Sequence, residues 1–224
     1  MALEKFGIKE VADVRFYDVE NVSFKDGVLK VKDPTQPVLE FDTLKVSNIE
    51  FTAEQTDAKG GKGNLPLITW DYGREVNLTL EDALLSLKCM KALFGSVDET
   101  KNYIEIGGDS FPNNYAIIGT TFARAQQGGK DHLFTFYVPN AKMGSEITLN
   151  MEAEGDPTVF SMNMKALREK DGTNLIYLIA DADSTYEERK TDKNHTSGDG
   201  KKIFDYVITT DVATEPTPEP EAGT

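Results

Sequence analysis

At 224 residues the chain is long enough to bury one large core, and its 38 Asp and Glu against 24 Lys and Arg leave a formal charge of -14 that repels phosphate backbones and anionic membrane surfaces. A single cysteine, Cys89, excludes an internal disulfide or a thiolate zinc cluster, and two widely separated histidines, His132 and His195, make an imidazole-rich metal site implausible. The first ten residues lack the apolar core of a secretory signal and the longest apolar run is Leu175 to Ala180, so the expectation is a protein of a reducing cytoplasm that is neither exported by that route nor membrane-spanning.

Taken in chain order, period-two alternation dominates. Residues 11–19 (VADVRFYDV) and 28–31 (VLKV) read as half-buried strands. The next strand, 43–54 (TLKVSNIEFTAE), changes phase: Leu44 and Val46 share one parity, Ile49, Phe51 and Ala53 the other, which predicts a bulge near Ser47 or Asn48. DAKGGKGN (57–64) reads as a glycine-bearing loop, followed by LPLITW with the only tryptophan, Trp70, and by EVNLTL, whose Val76, Leu78 and Leu80 face one way. A helix over about 83–94 is predicted from Ser86 as cap, with Asp82 as the alternative start, Leu87, Met90, Leu93 and Phe94 as an apolar stripe, and Gly95 as the left-handed stop. Cys89, among these residues, reads as a small buried hydrophobe.

Further strands are predicted at 103–106 (YIEI), 115–125, 133–138, 146–154, 159–167, 174–181 and 202–210. The stretch 181–202 contains no Val, Ile, Leu, Met or Phe and reads as a long solvated loop, while 212–224 alternates Pro and Glu as a flexible acidic tail. The fold class expected is all-β, a sandwich or barrel of about ten strands with one short helix. A single β domain over 1–211 accounts for it, with room for an inserted or appended part within 101–210.

The chemical motifs are weak. GGKGN lacks the spacing of a phosphate loop and no helix pattern begins immediately after it. Asp181, Asp183 and Glu187 could offer oxygens to calcium, but the glycine and terminal glutamate of an EF-hand loop are missing and a solvated charge run is the plainer reading. Met162 and Met164 alternate with polar residues as an ordinary core face does. With no nucleophile elbow and no histidine in a catalytic setting, the sequence predicts no enzyme, no cofactor and no metal site.

The block 43–95, with its strand, polar glycine-bearing loop, second alternating strand and short helix in that order, resembles the tail tube (major tail) proteins of tailed bacteriophages. The resemblance implies a β-sandwich subunit that forms hexameric rings stacked into a tube, with an acidic lumen through which DNA passes as non-specific cargo. It implies as partners further copies of the chain and other phage tail proteins, and as location the virion, after assembly in the host cytoplasm. In that setting Asp57, Lys59, Gly60, Gly61, Lys62, Gly63 and Asn64 are expected to form a subunit-contact loop, mobile in the lone chain and ordered by a neighbour. Two rivals fit the residues less closely. One is a capsid decoration or other virion protein; the other is a carbohydrate-binding module, for which only Trp70 and Tyr72 offer neighbouring aromatics.

Overall fold

The computed structural model describes residues 5–8, 13–33, 35–41, 44–82, 86–94, 103–106, 111–126, 131–144, 160–185 and 209–210. In chain order the strands begin with β1 (Phe6–Ile8), β2 (Asp13–Asp18), β3 (Val22–Lys25), β4 (Val28–Val31) and β5 (Leu39–Phe41). The long pair β6 (Leu44–Gly60) and β7 (Leu65–Asp82) precedes the helix α1 (Leu87–Phe94). Then follow β8 (Tyr115–Ala125), β9 (Asp131–Met143), β10 (Phe160–Ala166), β11 (Tyr177–Thr185) and the short β12 (Thr209–Thr210).

Nine strands form one sheet in the order β5-β2-β8-β9-β10-β7-β6, with β1 also on β8 and β11 also on β9; β12, β4 and β3 form a second, small sheet. The alternation of β2, β8 and β9 explains why two sheets are needed. One face carries Val14, Phe16, Ile117, Phe136 and Val138 into a core shared with Leu78 and Leu80 of β7, Met162 and Met164 of β10, and Cys89 and Leu93 of α1. The other face carries Tyr17, Ala116, Ile118, Leu133 and Tyr137 against Val22, Leu29 and Val31 of the small sheet. Central strands covered on both faces read as near-continuous apolar runs, and the first nine residues of β8 are all buried. The β3–β4 hairpin turns at Asp26 and Gly27, both at positive φ, the pair of conformations that a two-residue turn between twisted strands requires.

The helix begins where its cap predicts: the Cys89 amide donates to Ser86 Oγ at 3.0 Å. Its buried residues are Cys89, Lys91 and Leu93, whereas Leu87 is exposed, so the inward face is rotated from the predicted stripe toward Cys89. Burial, and after it the charge of Asp82, pushes the Cys89 thiol up to about 12, which leaves it protonated and inert at neutral pH.

Several sequence expectations change. Residues 103–106 form no strand. The slip in β6 lies between Leu44 and Val46 and not at Ser47 or Asn48. An extra residue at Lys45 lets Leu44 and Ile49, of opposite parity, both pack against the first core. Strand β11 runs to Thr185, into the stretch read as loop, because Thr185 still finds a partner in His132. The predicted strand 146–154, the rest of the loop to 202, most of 202–210 and the tail 212–224 lie outside the described residues.

Candidate assembly surface

The pair β6–β7 outruns the sheet that anchors it. Strand β10 accompanies β7 only over Asn77–Asp82, whereas β6 accompanies it to Leu65. The remainder is a two-stranded arm, exposed on both faces from Phe51 to Asp57 and from Leu65 to Glu75. At about 3.3 Å per residue the arm reaches roughly 35 Å from Val76 to its tip. The turn is Gly61–Asn64, with Gly61, Gly63 and Asn64 at positive φ and the Asn64 amide donating to the Gly61 carbonyl at 3.2 Å. Glycine at the first and third of these positions lets the chain reverse in four residues without strain.

The predicted contact loop is thus shorter than its eight residues. Asp57, Lys59 and Gly60 belong to β6, paired with Thr69, Pro66 and Leu65, and only Gly61, Lys62, Gly63 and Asn64 form the turn. A polar, glycine-bearing stretch reads as loop because it has nothing to bury, but here cross-strand bonds hold it as strand. Thr69 Oγ1 donates to Asp57 Oδ1 at 2.8 Å, Gln55 Nε2 donates to Asp71 Oδ1 at 2.8 Å, and Lys59 Nζ lies 3.9 Å from Asp57 Oδ2.

The register sorts the arm into two unlike faces. Glu54, Thr56 and Ala58 stand opposite Tyr72, Trp70 and Ile68 on one face; Gln55 and Asp57 stand opposite Asp71 and Thr69 on the other. The first carries Ala58, Ile68, Trp70 and Tyr72 beside Glu54 and Thr56, whose Oγ1 donates to Tyr72 Oη at 3.3 Å; the second is polar and acidic. Between Glu75 and Tyr72 strand β7 spends three residues against two in β6, with Gly73 at φ 60° in the bulge. This extra residue inverts the parity of β7. Even-numbered Val76, Leu78 and Leu80 face the core, yet even-numbered Ile68, Trp70 and Tyr72 face away from it, because β6 alternates without interruption from Ile49 and Phe51. Ile68, Trp70 and Tyr72 are 54%, 52% and 51% exposed. None of the three falls in the predicted subunit-contact loop, and the signal for them was the even-numbered alternation in ITWDY.

The model of the YomU/Tube protein family matches residues 6–99 and 95–178, well over half of the chain. The chain belongs to the YomU/Tube protein family. Membership agrees with the tail tube resemblance of residues 43–95 and extends it past residue 101, where the sequence had offered no likeness. It makes the chain a tube subunit of a phage-like tail. No curated protein matches the chain. Among solved structures, a chain of the sheath-tube complex of an extracellular contractile injection system (PVC, extended state) shares 14% identity, over 76% of this chain and 89% of that one, with a TM-score of 0.42. The crystal structure of an Hcp protein shares 14% identity, over 75% of this chain and 99% of that one, with a TM-score of 0.29. At these scores neither bears on function; the family match does. Among the described residues no cluster of metal-ligating side chains occurs, and no helix is long and apolar enough to cross a membrane.

Proposed function

We propose that this YomU/Tube subunit assembles into hexameric rings that stack into the tube of a phage tail, with a lumen through which DNA passes, and that the β6–β7 arm joins neighbouring copies. The observation that carries the reading is the arm. Among the described residues, Phe51–Gly60 and Leu65–Glu75 pair with one another alone and hold large apolar side chains in water, a costly arrangement for a lone subunit and a sound one for a subunit that is always covered by another. Asp57, Lys59, Gly60, Gly61, Lys62, Gly63 and Asn64 lie at the arm's tip, where Lys59 and Lys62 meet the acidic surface of a neighbour through individually weak contacts that a ring repeats. The charge of -14 suits a lumen that must not hold DNA. Membership in a tube family favours this reading over a capsid decoration protein.

The test replaces residues 58–68 by an Asn-Gly turn closing on the Asp57–Thr69 pair. The expected result is an unchanged circular dichroism spectrum and loss of the large species in sedimentation. A shortened protein that assembles like wild type refutes the role of the arm.

A further inference from the structure

A second group of exposed apolar side chains, besides the arm, lies on the main sheet. In the register of β1 on β8, Phe6 stands opposite Ala125 and Ile8 opposite Ala123. Leu178 of β11 stands opposite Phe136, which stands in turn opposite Gly119, and Phe134 stands opposite Thr121. Alternation puts Phe6, Ile8, Phe134 and Leu178 on one face of β1, β8, β9 and β11, the face that further along, at Ile117 and Val138, is covered by the first core. At this end the side chains of the flanking strands reach solvent: Phe6, Ile8 and Leu178 are 40%, 56% and 52% exposed, while Phe134 between them is buried, the Phe6 ring centred 5.7 Å from its own. His132, on the same face opposite Ala123, has an Nδ1 with no hydrogen-bond partner among the described residues.

We infer that the apolar face of the arm, Ile68, Trp70 and Tyr72, docks onto the Phe6, Ile8 and Leu178 patch of a second copy of this chain. The inference rests on the proposed tube assembly and names the contact that builds it. The bulge at Gly73 turns the stripe away from the core of the molecule that carries it, so its apolar surface is presented outward. Stripe and patch are both built of large apolar side chains and lie on different strands. A contact between unlike surfaces of identical chains does not close at a dimer: each copy still offers a free arm and a free patch, and the contact propagates into a ring or a stack. Lys62 lies in the turn beyond the stripe, while Lys59 stands on the opposite face beside Asp57.

Trp70 is the only tryptophan, so its fluorescence reports on the arm alone. On assembly of the full chain its emission shifts to shorter wavelength and loses quenching by iodide. Two variants at exposed positions, whose folding is checked by circular dichroism, separate the halves of the contact: Trp70→Ser spoils the arm and Leu178→Asp spoils the patch. Each alone loses the large assemblies. Mixed in equal amounts, they form a complex that neither forms by itself, since the intact arm of the Leu178→Asp copy meets the intact patch of the Trp70→Ser copy. If wild type assembles with unchanged Trp70 emission, if either variant assembles normally, or if the mixture forms no new complex, this pairing is wrong while the tube reading stands. If wild type stays monomeric at every concentration, both fall.

Discussion

Gly119 stands directly opposite Phe136 in the β8–β9 ladder, and the ring lies where a side chain on Gly119 would be: a Cβ added there meets Phe136 Cζ at 2.1 Å and Cε1 at 2.2 Å. Phe136 is buried in the first core and has nowhere to withdraw. Gly119→Ala is therefore expected to lower stability by about 1–3 kcal/mol through overpacking. Urea unfolding checks this, and in the double variant with Phe136→Ala the penalty of the alanine should largely vanish, because the clash is with the ring itself.

Leu93 is fully buried on α1 against the first core. Leu93→Asp places an unpartnered charge there and removes a core side chain, which costs about 3–5 kcal/mol. Loss of the cooperative thermal transition in circular dichroism is the expected outcome; a native-like transition would show that α1 does not seal the core.

Alkaline pH should loosen the fold. Burial raises the Cys89 thiol from 9.0 to about 12 and raises Tyr17, Tyr115 and Tyr137 above 10.0. A group held above its unfolded value favours the fold while it is protonated. Its contribution is complete below the unfolded value and is lost as pH climbs toward the folded one. The urea midpoint should thus be flat between pH 7 and 8.5 with respect to these groups and fall above about 9, where unfolded Cys and Tyr begin to ionise. Cys89→Ala should start that fall later, nearer the tyrosine range. A midpoint independent of pH up to 11 would contradict the burial of all four groups.

Much of the fold was legible because it follows from burial. The strand 115–125 was read to the residue, since both of its faces are covered and its apolar run is continuous. Phe160, Met162, Met164 and Ala166 alternate inward as their spacing requires, and Ser86 marks the start of the helix. What escaped was structure held by partners rather than by apolar pattern. Asp57, Lys59 and Gly60 are strand only because Thr69, Pro66 and Leu65 lie beside them, and YIEI, despite its strand-like alternation, forms no strand. For the candidate site, the sequence pointed to the tip and its glycines. The apolar face was hidden by the bulge at Gly73, which detaches the parity of 68, 70 and 72 from that of 76, 78 and 80, so that one alternating run serves two opposite surfaces.

The central claim is that this chain builds tubes from copies of itself. Negative-stain electron microscopy of the purified full-length protein across a range of concentrations tests it most directly. The account predicts tubes of uniform diameter, with end-on views showing six-fold rings around an open lumen. A field of single particles of monomer size at every concentration, or closed assemblies without a lumen, would contradict it.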